Sequence, residues 1–155
     1  MQWLLKALVK KLSENAVLGD WLGTDGLGRV RIYQGEPPPL EIIGGTDEEF
    51  RYLMISGNIA GGPPTETYDD TLVEDWDIQF SLFELSTGTS NHLTEGYELL
   101  KDVFEPRSTV TLDDPTLPEY QTVDVRRMTP LRGPEVDYRG AWMGTVDYNI
   151  RAQEL

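Results

Sequence analysis

The sequence predicts an α+β fold in which two main helices pack on one face of an antiparallel or mixed sheet. Two segments, 2–18 and about 91–105, carry apolar residues at three- and four-residue steps, which is typical of amphipathic helices. Two others, 76–85 and 142–152, alternate apolar and polar residues, which is typical of strands with one buried face. With no internal repeat between them, we expect a single domain over residues 1–155.

The composition is strongly acidic. The 155 residues include 27 acidic and 13 basic ones, a formal net charge of −14 at pH 7. A surface of this charge repels phosphate, so we expect no specific binding to DNA or RNA. The lack of cysteine excludes disulfides, thiol nucleophiles and Cys-based metal sites, and a single histidine excludes His-rich metal sites. We therefore expect no metal and no cofactor.

The first helix is predicted over residues 2–18, with Gly19 as its end. Leucines form its apolar stripe, which we expect to pack on the sheet. The remaining positions carry three lysines, Lys6, Lys10 and Lys11. Because these charges interrupt the apolar run, and no stretch approaches the ~20 apolar residues of a membrane span, we expect no secretion signal and no contact with a membrane.

Shorter strands are predicted around the two main ones. A strand begins at Arg29–Tyr33, and the prolines 37–39 favour an edge strand at Leu40–Ile43, since proline cannot donate to a β-ladder. Further strands are expected at 50–55, 109–112 and 122–128, with 129–140 as a connection. Residues 57–75, rich in glycine, proline and acidic side chains, are predicted to form one long loop.

The most regular strand runs directly into the second helix. Trp76, Ile78, Phe80 and Leu82 alternate with polar residues, and the helix that follows starts near Asn91 and ends before Pro106. Its stripe consists of Leu93, Tyr97, Leu100 and Phe104. The last strand is expected to pair with 76–85 or with 122–128.

No residue pattern predicts catalysis. The carboxylate groups around Asp69–Asp70, Glu74–Asp77 and Asp113–Asp114 lack the spacing of a calcium loop and are typical of solvated surface. His92 lies at a predicted helix start without a nucleophile motif. The glycines at 23–28 precede a strand and not the helix that a phosphate-binding loop requires. We therefore expect a protein that is not an enzyme.

The elements follow one another in a characteristic order. An amphipathic helix leads to RVRIYQGEPPPLEIIGG; the WDIQFSLFELS strand then runs into the SNHLTEGYELLKDVFEP helix, and RRMTPL and DYRGAWMGTVDYNIRAQ close the chain. This order resembles that of the tail terminator and tail-completion (tail-to-head joining) proteins of long-tailed bacteriophages. In that family an aromatic residue begins the strand before the second helix, and the closing hairpin resembles Y/W-x-G-x-x-x-Y-x-I. Trp76–Leu85 and Arg139–Ile150 correspond to these features. The likeness is one of layout over nearly the whole chain.

This resemblance implies a structural virion protein, assembled in the host cytoplasm. Its copies are expected to form a ring, as a hexamer, that caps the tail tube and joins it to the head-side connector or head-closure protein. DNA would pass through a negatively charged pore without specific binding. We expect Asp69, Asp70, Glu74 and Asp75 to face the lumen or an adjoining ring. Six basic residues are expected at contacts between subunits: Lys6, Lys10, Lys11, Arg126, Arg127 and Arg132.

Two alternatives remain open at this point. The chain is alternatively another neck ring, such as a head-closure ring, or a tail-tube component, which would share ring formation but not position. An alternative of a different class is an acidic inhibitor that mimics nucleic acid, for which a net charge of −14 is suited. The inhibitor predicts a stable monomer or dimer, whereas the virion roles predict a ring.

Overall fold

The computed structural model describes residues 2–59, 65–66, 72–86, 92–104, 120–136 and 140–154. The helices are α1 Gln2–Glu14, α2 Ala16–Leu22, α3 Leu40–Gly44 and α4 Leu93–Phe104. The strands are β1 Ile32–Gln34, β2 Phe50–Ile59, β3 Thr65–Glu66, β4 Leu72–Leu85, β5 Tyr120–Arg127, β6 Arg132–Val136 and β7 Trp142–Glu154. They confirm the predicted α+β class.

All described strands belong to one mixed sheet with the order β1-β2-β4-β7-β5. β3 pairs with β4, and β6 pairs with β7 beside β5. β1 and β2 run parallel, joined by a connection that contains α3, and the other described pairs are antiparallel. β7 pairs with both β4 and β5, the two segments predicted as alternative partners of the last strand.

The main core lies between the sheet and the helices α1, α2 and α4. The alternation predicted for β4 is confirmed, because Trp76, Ile78, Phe80 and Leu82 are all buried on this face. The α4 stripe is also confirmed, with Leu93, Tyr97, Leu100 and Phe104 buried against the same cluster. Across this layer, α1 lies over β1 and β2, α4 lies over β4 and β7, and α2 contacts both helices.

A second, smaller cluster lies on the opposite face of the sheet. Its buried members are Tyr33, Ile43, Phe50 and Tyr52. The rings of Tyr52 and Phe83 stack with their centroids 4.6 Å apart. Because Leu53 and Ile55 belong to the main core and Phe50 and Tyr52 to this one, β2 places alternate residues on the two faces. α3 therefore covers the face that α1, α2 and α4 leave uncovered.

The prediction of one N-terminal helix ending at Gly19 is wrong. The helix breaks at Asn15, whose side chain accepts a hydrogen bond from the Leu18 backbone N–H at 3.0 Å and so caps the start of α2. Gly19 lies inside α2, and Gly23, with a φ of +75°, follows its end. The apolar stripe continues through the break, with Leu12 and Leu18 both buried, and so conceals it.

The predicted edge strand Leu40–Ile43 is also wrong, since these residues form α3. Pro39 immediately precedes the helix with a φ of −56°. Proline suits this position because the first N–H groups of a helix have no intrahelical partner. A short apolar run after prolines is therefore compatible with an edge strand or with a short helix. Burial of Ile43 beside Phe50 favours the helix.

Two connections contain more strand than the sequence predicted. Within the predicted loop 57–75, residues 57–59 continue β2, 65–66 form β3, and 72–75 begin β4. The predicted connection 129–140 contains β6, in which all five residues are exposed. Such fully exposed edge strands lack the apolar alternation that predicts strands from sequence. The predicted strand 109–112 and the helix start at Asn91 lie outside the described residues.

Candidate functional site

A polar cleft of about 300 Å³ lies where α2, the turn after α3, β2, the end of β4 and the start of α4 meet. Its lining includes the aromatic ring of Trp21 and the charged side chains of Arg31, Arg51, Glu84 and His92. These residues come from five separate parts of the sequence. The fold therefore brings charged and aromatic side chains that are distant in sequence together in one cleft.

The carboxylate of Glu84, at the end of β4, is buried and is shared by β2 and α4. It accepts a hydrogen bond from Arg51 Nε at 2.8 Å and one from the His92 backbone N–H at 3.2 Å. The His92 Nδ1 atom lies 3.1 Å from each carboxylate oxygen. An anion at this position also interacts favourably with the N-terminus of α4, so Glu84 joins the sheet to that helix.

Arg51 and His92 extend this contact to the neighbouring helices. The Arg51 guanidinium lies 4.8 Å from the Trp21 ring centroid, and its Nη1 donates to the Trp21 carbonyl at 3.2 Å. The His92 carbonyl accepts from the backbone N–H groups of Glu95 and Gly96 in the first turn of α4. The cluster of Trp21, Arg51, Glu84 and His92 thus fixes α2 and α4 on the sheet.

Arg31 is a buried arginine whose guanidinium donates hydrogen bonds to backbone carbonyls at the ends of two helices. Its Nη1 donates to the Leu22 carbonyl at the end of α2, while Nε and Nη2 donate to the carbonyls of Ile43 and Gly44 at the end of α3. Its Nη2 also pairs with Asp47 at 2.8 Å. The last carbonyls of a helix have no intrahelical donor, so one guanidinium satisfies groups that burial would otherwise leave without partners.

Asp25 organises the turn that precedes β1. Its carboxylate accepts from the backbone N–H groups of Leu27 and Arg29, from Arg29 Nε and from the Tyr33 hydroxyl, at 2.9–3.0 Å. Burial opposes ionisation of this carboxyl, but these hydrogen bonds and the Arg29 charge hold its pKa below the usual range. The same burial, together with the bond to Asp25, raises the pKa of Tyr33.

The outer face of α1 is a basic surface. Lys6 and Lys10, one helical turn apart, are exposed, and neither forms an ion pair with a described residue. Lys11 is half-buried beside the stripe. We call the exposed pair Lys6 and Lys10 the α1 basic surface.

An acidic surface lies on α3 and on the turn that leads to β2. Residues 40–49 contain four acidic residues and no basic one: Glu41, Asp47, Glu48 and Glu49, all exposed. Asp47 pairs with Arg31 from inside the molecule. We call these four residues the α3 acidic surface. α1 and α3 pack on opposite faces of the sheet, whereas Asp47 and Glu49 line the polar cleft beside Trp21 and His92.

The three predicted arginine contacts lie along the β5–β6 edge of the sheet. Arg126 is exposed at the end of β5. Arg127 donates to the Tyr97 hydroxyl of α4, and Arg132 pairs with Asp147 of β7 at 2.9 Å. The structure thus uses Arg127 and Arg132 inside the subunit and separates all three from the α1 lysines.

The predicted acidic loop is placed only in part. Asp69 and Asp70 lie outside the described residues. Glu74 and Asp75 belong to β4, where they pair with Ala152 and Arg151 of β7. They are therefore positions in a paired strand and not in a loop.

Sequence reasoning considered His92 only for catalysis and missed Arg51 and Glu84, although one signal pointed to Glu84. The buried positions of β4 are 76, 78, 80 and 82, and Glu84 occupies the next position of that series. A carboxylate in an apolar series predicts a buried acid with a partner. Its partners, Arg51 and His92, lie 33 and 8 residues away, and nothing local identifies them.

The structure and the comparisons add few external indications of function. In the part of the chain that the structure describes, no helix is long and apolar enough to cross a membrane, and no three His, Asp or Glu side chains lie close enough together to hold a metal ion. No protein-family model matches this chain, and no curated protein matches it significantly.

Proposed function

We propose that this chain is a structural ring subunit of a long-tailed bacteriophage, a tail terminator or tail-completion protein that caps the tail tube and joins it to the head-side connector. The element order supports this assignment: β4 leads into α4, and the chain closes on the antiparallel pair of β6 and β7. This is the layout of the family that the sequence resembles.

One observation carries the ring in particular: the opposite charges of the α1 and α3 surfaces. A closed ring needs two different, complementary patches on each subunit. α1, which carries Lys6 and Lys10, and α3, which carries Glu41, lie on opposite faces of the sheet, so the chain presents basic and acidic side chains in different directions. A contact between identical patches would instead bring like charges together.

The charge balance supports the passage of DNA through such a ring. The subunit has a net charge of −14, and several of its arginines are engaged within the chain, as Arg31, Arg51 and Arg132 show. A pore of this composition repels the phosphate backbone and does not bind the DNA that passes through it. The chain would therefore act by shape and charge, without chemistry on a substrate.

The test is to image phage particles assembled with and without this protein. Particles that lack it should accumulate as separate heads and tails, and addition of the purified protein should join them. Labelled protein should lie at the junction of head and tail. Joined, infectious particles without it would overturn the proposal, and labelling along the whole tail would favour a tube component. A stable monomer that binds a basic protein would favour the acidic inhibitor.

A further inference from the structure

We infer that the sheets of neighbouring copies meet edge to edge, with strand β6 of one copy lying in a groove beside strand β1 of the next. The inference rests on the proposed ring and names the two surfaces that would close it. At the level of β1 the sheet runs β1-β2-β4-β7-β6, so β1 and β6 are its two outer strands there. Among the described residues, no strand pairs with the outer side of either one.

The first argument is the level and direction of the two edges. Paired residues form one row across the sheet: Tyr33, Met54, Ser81, Thr145 and Arg132. β1 runs in the same direction as β7, and β6 runs against both. A rotation about a ring axis along the strands keeps these directions, so β6 would meet the next β1 as an antiparallel pair, the commoner arrangement. The two edges also differ, as a closed ring requires.

The second argument is that the outer side of β1 has room for a strand. A groove of about 380 Å³ lies there, and its lining includes Val9 of α1, Gln34 and Pro38. Backbone groups alternate sides along a strand, and the Arg31 carbonyl accepts from the Leu53 N–H of β2. The Gln34 N–H therefore points away from β2, and a strand lying in the groove would accept its hydrogen bond, as in recognition by strand addition.

The third argument is that apolar side chains match across the contact. Val136 of β6 is 60% exposed. It pairs with Trp142, which packs against the main core, so Val136 lies on the helix side of the sheet. The apolar wall of the groove, Val9 and Ile32, lies on that same side. Docking would therefore bury an exposed valine against an apolar surface, which favours association.

The fourth argument is that the charges at the two ends of the contact are opposite. Arg29, before β1, and Glu36, after it, both line the groove. In the antiparallel arrangement Glu135 lies towards Arg29, and Arg132 lies towards Glu36. Arg29 and Arg132 each pair with an aspartate of their own chain, but a guanidinium carries five N–H groups and can serve a second carboxylate. These pairs would set the register of the two strands.

The main experiment changes each edge separately and compares assembly on tail tubes. Gln34→Pro removes the outward N–H without removing a bond to β2, whereas Gln34→Ala keeps that N–H. Gln34→Pro should raise the concentration for half-assembly about tenfold, and Gln34→Ala should leave it nearly unchanged. Light scattering measures the masses, and circular dichroism checks that each chain folds.

The β6 edge is tested by Val136→Ser, which should also raise the concentration for half-assembly about tenfold. Its matched control is Val17→Ser on α2, since Val17 is 62% exposed and lies outside the contact. The control should assemble like the wild type. This pair does not depend on the folding of Gln34→Pro.

The charges are tested by Glu135→Lys, which places a lysine towards Arg29. It should weaken assembly about threefold at low salt and less at high salt. Glu95→Lys, on the exposed side of α4, changes the net charge equally and should have no effect.

The outcomes separate the contact from the ring. If the wild type forms rings and the folded Gln34→Pro and Val136→Ser chains form them at unchanged concentrations, the edge contact is wrong while the ring stands. If the wild type stays a monomer even on tail tubes, both the ring and the contact are wrong.

Discussion

At the scale of single residues, two buried charged groups hold the β1 region together. Asp25 anchors the turn before β1, and Arg31 completes the ends of α2 and α3. Neither role is visible from sequence, because each depends on partners that the tertiary fold brings close. A buried Arg and a buried Asp in one glycine-rich stretch resemble ordinary surface charges until their burial is known.

Replacement of Asp25 by asparagine should destabilise the fold by about 1–3 kcal/mol at neutral pH, since the new amide group faces Arg29 Nε and the Tyr33 hydroxyl. The pKa of Asp25 is lowered in the folded state. Its contribution is therefore fully present above the unfolded carboxyl pKa of about 3.9 and is lost as the pH falls through the folded value. Urea unfolding at neutral and at strongly acid pH measures this effect. The difference in unfolding free energy between wild type and variant should be smaller in acid.

Asp102→Asn on the exposed face of α4 is the matched control and should change stability by less than about 0.5 kcal/mol. An Asp25→Asn protein as stable as the wild type would show that the buried carboxylate does not hold the turn.

Arg31→Lys tests whether the hydrogen bonds from the guanidinium to the ends of α2 and α3 stabilise the fold. A lysine ammonium cannot serve three carbonyls and a carboxylate in the planar arrangement of a guanidinium. Each buried carbonyl that loses its donor costs about 1–3 kcal/mol, so the variant should lose at least about 2 kcal/mol of unfolding free energy. Arg126→Lys, at an exposed position, should be nearly neutral in the same urea titration. Equal stability of the two variants would contradict the role assigned to Arg31.

At the scale of elements, the long regular segments were predictable and the short ones were not. β4, β7 and α4 carry their periodicity over 12–14 residues, so their faces could be assigned correctly from sequence. α3 has five residues, and its apolar run suits a strand equally well. The break at Asn15 was hidden because the leucine stripe continues from α1 into α2.

The packing of α2 on α4 depends on a glycine. A Cβ atom at Gly96 would lie 2.7 Å from Trp21 Cζ3 and 2.9 Å from Cζ2, so Gly96→Ala should destabilise the protein by about 1–3 kcal/mol. In contrast, a Cβ atom at Gly19 of α2 would meet nothing within 4 Å. Gly19→Ala should therefore stabilise the protein by up to about 1 kcal/mol through helix propensity. Thermal unfolding measures the melting temperature of each variant relative to the wild type. Changes of the same sign in both variants would contradict this packing.

At the scale of the whole molecule, the proposed function depends on charge. The net charge of −14 follows from the composition, and the ring is what the resemblance implies. The α3 acidic surface could not be located from sequence, because Leu40–Ile43 was predicted as a strand and forms α3. Only the sheet shows that α1 and α3 lie on opposite faces.

Charge in the pore should govern the passage of DNA. If Asp69, Asp70, Glu74 and Asp75 face the lumen, replacing all four by lysine should slow or trap the genome, because positive charge binds phosphate. The measurement is the rate of genome release from assembled particles. Reversal of Glu95, Glu98 and Asp102 on α4 is the control and should leave the rate unchanged. Normal delivery by the fourfold variant would place these residues away from the DNA.

The most direct test of the central claim is a cryo-electron microscopy reconstruction of the particle neck. It should show six copies of the 17.5 kDa chain, a mass of about 105 kDa, closed into one ring between tail tube and connector. A neck without this chain, or one holding a solitary copy, would contradict it.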